Sequence, residues 1–105
     1  MNKTEAMIWS VLQRPTMYTV NGAYGEVVAF LTGYYSGAAL GHPHEPSVRI
    51  WGDFSLFVRN SLPIPGSNDF KAFQDIHGVG SLEALKAKYD EFAKGRENFN
   101  LINEE

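Results

Sequence analysis

Cysteine is missing from all 105 residues. No disulfide framework, thiolate nucleophile or thiolate metal ligand is therefore available, which suits a reducing, cytoplasmic compartment. An excess of basic charge is missing too. Nine Lys and Arg, scattered along the chain, stand against 12 Asp and Glu, for a net charge of −3. Nucleic-acid binders usually cluster an excess of positive charge, so a nucleic-acid partner is not expected. No run approaches the roughly 20 apolar residues of a membrane span. The opening "MNKTEAMIWSVLQ" has one Lys and no long apolar run, unlike a secretory signal. Internal repeats, low-complexity tracts and long linkers are absent as well. What the chain does have is aromatic and apolar mass. Hydrophobic residues make up 44%, with seven Phe, five Tyr and two Trp. That load supports a real core and excludes disorder. The length fits a single domain over residues 1–105.

Five segments stand out. Thr4 to Gln13 reads as a helix, with Thr4 as N-cap, Glu5 in the first turn and Ile8, Val11 and Leu12 at helical spacing. Pro15 ends it by pushing Arg14 out of the α region. Asn21-Gly22 signals a turn, and Tyr24 to Leu40 reads as a second helix with Val27, Leu31, Tyr34 and Ala38 on one stripe. Its only charge is Glu26, which predicts a central, buried helix. Gly41 to Pro46 reads as a loop. Val48 to Leu62 is ambiguous: Val48 to Trp51 alternates like a strand, while Phe54, Phe57, Val58 and Leu62 fit a helix starting at Asp53. Ser67 or Asn68 caps a fourth helix ending at His77, with Phe70 and Phe73 facing inward. Ser81 to Lys94 is the clearest helix: Ser81 caps it, Leu82, Leu85, Tyr89 and Phe92 form its stripe, Lys86 with Asp90 and Asp90 with Lys94 are spaced to pair, and Gly95 fits its end. Residues 96–105 read as a flexible tail in which Phe99, Leu101 and Ile102 could dock. The expected architecture is mainly α: one compact domain of about five helices, with a possible short extended segment near 48–51.

Candidate chemistry is sparse. His42-x-His44-Glu45, with Asp53 nearby, is the best metal candidate, because imidazole and carboxylate suit zinc. Its spacing matches no strong zinc signature, and two His beside Pro are more often solvated. No metal or cofactor is assigned. His77 lacks the oriented carboxylate and nucleophile that a general base needs. There is no GxSxG, GxGxxG or Walker sequence, so the chain is not read as an enzyme. Asp53, Asp69, Asp75, Glu83, Asp90 and Glu91 crowd the C-terminal half. An acidic face there would speed encounter with a basic partner. Trp51, between two Pro-bounded breaks, is the aromatic least expected in the core.

"LQRPTMYTVNG" carries a resemblance. Arg14, Pro15, Met17 and Tyr18 match the RPxMYxG segment of gyrase B-type ATPase domains. The following helix offers Glu26 but no Asn further on, and no DxGxG glycine motif comes downstream, so ATP binding is not implied. The order RPxMY, Gly33-Tyr34, Trp51, Phe54, Phe57 and Val58, then Leu85, Tyr89 and Phe92, resembles small bacterial immunity proteins of polymorphic-toxin systems. That resemblance covers about residues 8–93. It implies a helical protein that binds and neutralises a cognate protein toxin without fixing which one; the acidic residues point to a basic toxin, a nuclease being one option, whose active site would be occluded. Trp51, Asp53, Glu83 and Glu91 are the expected contacts. Arg14, Pro15, Met17 and Tyr18 are expected to form a clasp, with Met17 and Tyr18 packed on the second helix. Two alternatives stay open: a metal- or ligand-binding protein using the His42/His44 loop, and a helical subunit of another complex. The oligomeric state is not fixed by the sequence.

Overall fold

The structure is a computed structural model that describes residues 3–42, 44–63 and 68–103, without the side chains of 3–5 and 97–103. Five α-helices follow one another: α1 Lys3–Gln13, α2 Tyr24–Gly41, α3 Ile50–Asn60, α4 Asp69–His77 and α5 Ser81–Asn103. Short 3-10 turns at Pro15–Met17, Pro46–Arg49 and Gly78–Gly80 join them. There is no strand among the described residues.

Local chemistry sets most boundaries. Arg14, before Pro15, sits at φ −135°, ψ 64°, outside the helical region, so α1 stops at Gln13. Gly22 takes φ +67°, which only glycine adopts cheaply, and turns the chain into α2. The Glu26 carboxylate accepts from the backbone N–H of Asn21 (3.0 Å) and Ala23 (3.2 Å), supporting the start of α2 from within. The side-chain oxygen of Asn68 accepts from the N–H of Lys71 and caps α4. Gly78, at φ +60°, ends α4.

One core gathers all five helices. Ile8, Val11 and Leu12 come from α1, Val27, Leu31 and Tyr35 from α2, Phe70 and Phe73 from α4, and Leu85, Tyr89 and Phe92 from α5. Phe54 of α3, fully buried, lies at its centre. Its ring meets Tyr89 edge-on at 5.1 Å and Phe92 at 5.3 Å. Such tilted aromatic pairs stabilise beyond their buried area by about 0.5–1.5 kcal/mol each.

Five expectations are corrected. The segment 48–51 is not extended: Pro46 opens a 3-10 turn and α3 begins at Ile50, before Asp53, because Ile50, Trp51, Phe54 and Val58 all reach the core as one helical face. Helix α2 buries Tyr24, Val27, Leu31 and Tyr35, so its stripe runs through Tyr35 and not Tyr34, and its opposite flank is exposed. Ser81 is the first residue of α5, not its cap; its buried hydroxyl donates to the carbonyls of Gly78 and Gln74, pinning the α4–α5 corner. Lys86 pairs with Glu83 at 3.7 Å, not with Asp90, whose partner is Lys94 at 3.0 Å. Gly95 does not end α5, whose backbone stays helical to Asn103 through the expected tail. Thr4 lies inside α1, and its side chain, with those of Glu5, Phe99, Leu101 and Ile102, lies outside the described residues. The Pro43 and Ser67 expectations fall outside them as well.

Candidate functional site

The turn from Leu12 to Gly22 is held by Thr19 and by its backbone. Thr19 Oγ1 donates to the Pro15 carbonyl (2.9 Å) and accepts from the Gly22 N–H (2.8 Å). Tyr18 rests against Phe30 of α2 at 5.8 Å, and Phe30 stacks on Tyr34 at 6.4 Å. Arg14 and Met17 take no part in this. Met17 is 67% exposed, and the Arg14 guanidinium lies 4.0 Å from the Met17 sulfur. Among the described residues the Arg14 guanidinium meets no carbonyl or carboxylate, and Met17 projects into solvent instead of packing on α2. Two of the four RPxMY side chains remain on the surface.

Trp51 is a core residue, only 6% exposed. Its ring stacks on Phe70 at 4.7 Å, with 6° between planes, and faces Tyr35 at 6.4 Å. Its indole N–H donates to Thr32 Oγ1 at 3.1 Å. The ring is enclosed, so it offers no contact face to a partner. The helical phase of Trp51, Phe54 and Val58 was the signal for this, hidden by the strand-like alternation before it.

The acidic residues do not form an unneutralised face. Asp53 holds Arg96 at 3.1 Å, Glu83 holds Lys86 at 3.7 Å, and Glu91 holds Lys88 at 3.4 Å. Asp75 pairs with Lys71 at 3.6 Å and Asp90 with Lys94. Asp69, buried at the start of α4, takes the Arg59 Nε–H on both oxygens, at 3.1 and 3.3 Å. Every acid expected to make that face has a cation beside it. Glu91 also borders a groove of about 540 Å³ with His77, Ile76 and Leu62. His42 and His44 are exposed, and no group of three or more His, Asp or Glu among the described residues could hold a metal ion.

The unusual surface is on α2. From Val27 to Gly41 the helix has no charged residue. Gly25, Ala29, Thr32, Gly33, Ser36, Gly37 and Leu40 nevertheless lie on its exposed flank. Leu40 is 86% exposed, and Val20, at the entry turn, is 87% exposed. An apolar helix of this kind is ordinarily covered on all sides. The missing charges were legible in the sequence; that they mark an open face, not a buried one, was not.

Beside that flank an open groove of about 530 Å³ runs between α2 and α4. Gly25, Val28 and Ala29 form one wall, Phe70, Lys71 and Gln74 the other. Three contacts fix its shape. Tyr24 Oη donates to the Phe70 carbonyl at 2.6 Å, Phe70 stacks on Trp51, and Trp51 donates to Thr32. Burial holds the Tyr24 phenol well above its ordinary pKa, so this donor keeps its proton into the alkaline range where a free phenol would lose it. Lys71 is the only charged residue among the described ones that line the groove.

No described helix is long and apolar enough to cross a membrane. Comparison with protein-family models, with curated proteins and with solved structures returns no match.

Proposed function

We propose that the chain is a stoichiometric protein-binding module of the immunity type, and that it meets its toxin through the exposed flank of α2. One observation carries this reading: from Val27 to Gly41 helix α2 has no charged residue, yet it leaves Ala29, Thr32, Gly33, Ser36, Gly37 and Leu40 exposed to solvent. Contiguous apolar or uncharged surface of this kind is a feature of protein interfaces. The helix extends about 27 Å, at about 1.5 Å per residue, long enough to form the centre of a contact. A packed core behind the flank and exposed positions without charge between Val27 and Gly41 favour occlusion by binding over chemistry. Asp53, Glu83 and Glu91 already hold cations, so they act at most as weak steering charges, and Trp51, bonded to Thr32, supports the fold behind the face.

Co-expression tests the reading. The chain is produced, tagged, with the product of the gene immediately upstream. A one-to-one complex and loss of that product's toxicity are expected. Ser36→Arg or Leu40→Glu should weaken the complex about 100-fold, about 3 kcal/mol, as hot-spot positions do. Glu83→Lys should change it little. A neighbour that is harmless on its own, or a complex indifferent to both α2 substitutions, sinks the reading.

A further inference from the structure

We infer that the groove between α2 and α4 receives an apolar side chain of the partner, and that Lys71 takes a carboxylate next to it. This rests on α2 being the binding face and names what that face recognises. The groove lies within the about 300–1,000 Å³ of ordinary binding pockets. It exists because Gly25 and Ala29 put nothing into it; a Cβ added at Gly25 would meet no atom within 4 Å. Its floor is preformed, since Tyr24, Phe70, Trp51 and Thr32 hold one another by hydrogen bonds and stacking. An aromatic or branched aliphatic side chain fits that apolar floor.

Charge decides the rest of the occupant's chemistry. Lys71 is the only charged residue among the described ones that line the groove, and Asp69 close by is neutralised by Arg59 on another side. Among the described residues Lys71 pairs with Asp75 alone, at 3.6 Å, with both side chains about two-thirds exposed. Such an exposed i,i+4 pair is weak, so a carboxylate carried beside the seated apolar side chain competes with Asp75 for Lys71. Thr32 and Gln74 add neutral hydrogen-bonding groups along the walls. The occupant is therefore an acidic-apolar segment of a protein, and a basic segment is disfavoured at this point.

A displayed library of random peptides, selected on the full chain, supplies the probe. Enriched sequences should share an aromatic or aliphatic residue with Asp or Glu one or two positions away. A synthetic peptide from that set should lose at least tenfold in affinity with Lys71→Glu, and all detectable binding with Ala29→Arg. Asp75→Asn, which removes the competitor and leaves the fold intact, should tighten it two- to fivefold. A basic or uncharged consensus, no enrichment, or binding indifferent to Lys71→Glu and Asp75→Asn overturns the inference. The two readings fail separately. If the toxin is neutralised and Ser36→Arg blocks this, while Lys71→Glu and Ala29→Arg do nothing, the groove is wrong and the binding face stands. If peptides bind as described but no toxicity is relieved, the groove stands and the immunity reading falls.

Discussion

Trp51 joins three helices through one ring: it lies on α3, stacks on Phe70 of α4 and donates to Thr32 of α2. Trp51→Ala should destabilise the protein by about 3–5 kcal/mol in urea denaturation, the range for a large buried aromatic. A loss below about 1 kcal/mol would mean the ring is a surface group after all. Tyr24 gives a pH signature. Its folded pKa lies well above the ordinary 10.0 because burial penalises the phenolate. Above pH 10 the unfolded chain has released this proton while the folded chain still holds it. Stability is therefore complete below about pH 10 and falls as pH rises further. Tyr24→Phe should flatten that alkaline slope, while costing about 1 kcal/mol at neutral pH for the bond to the Phe70 carbonyl. Denaturation melts at neutral and alkaline pH compare the two proteins directly. An unchanged slope would show that the phenol is not enclosed.

At the scale of elements, α5 offers a simple check. Gly95 lies inside the helix with open space around it. Gly95→Ala should raise stability by about 0.5–1 kcal/mol, the difference in helix propensity. Thermal melts measure it, and destabilisation would mean the helix does end there. Helix boundaries were legible in the sequence where short-range chemistry decides them: Pro15 after α1, Gly22 before α2, Asn68 and Gly78 around α4. The start of α3 was not, because Val48 to Trp51 alternates in a way that both strand and helix accommodate. Packing of Ile50 and Trp51 into the core settles it. The orientation of α2 was hidden for a related reason: a helix apolar all round carries no phase that says which side is covered. Nor could spacing show that Asp53 would meet Arg96 or Asp69 meet Arg59, since those pairs form only once helices pack. Lys71 and the groove were invisible for the same reason.

For the molecule as a whole, the pairing of its acids changes what association should look like. A partner steered by an acidic face would lose affinity steeply as salt rises. A partner held on the charge-free flank of α2 should lose less than about threefold between low and physiological ionic strength, where the Debye length shortens from about 30 to about 8 Å. Calorimetric titration at several salt concentrations distinguishes the two, and a steep salt dependence would return attention to Asp53, Glu83 and Glu91. The flank has one further property. Most protein surfaces carry long side chains that move among many rotamers, and each one frozen in a complex costs about 0.5–1.5 kcal/mol. Gly25, Ala29, Gly33 and Gly37 have no rotamers to lose, and the helix already fixes their backbone. Docking there gives up little motion on this side of the contact, so even a small interface could hold its partner for a long time.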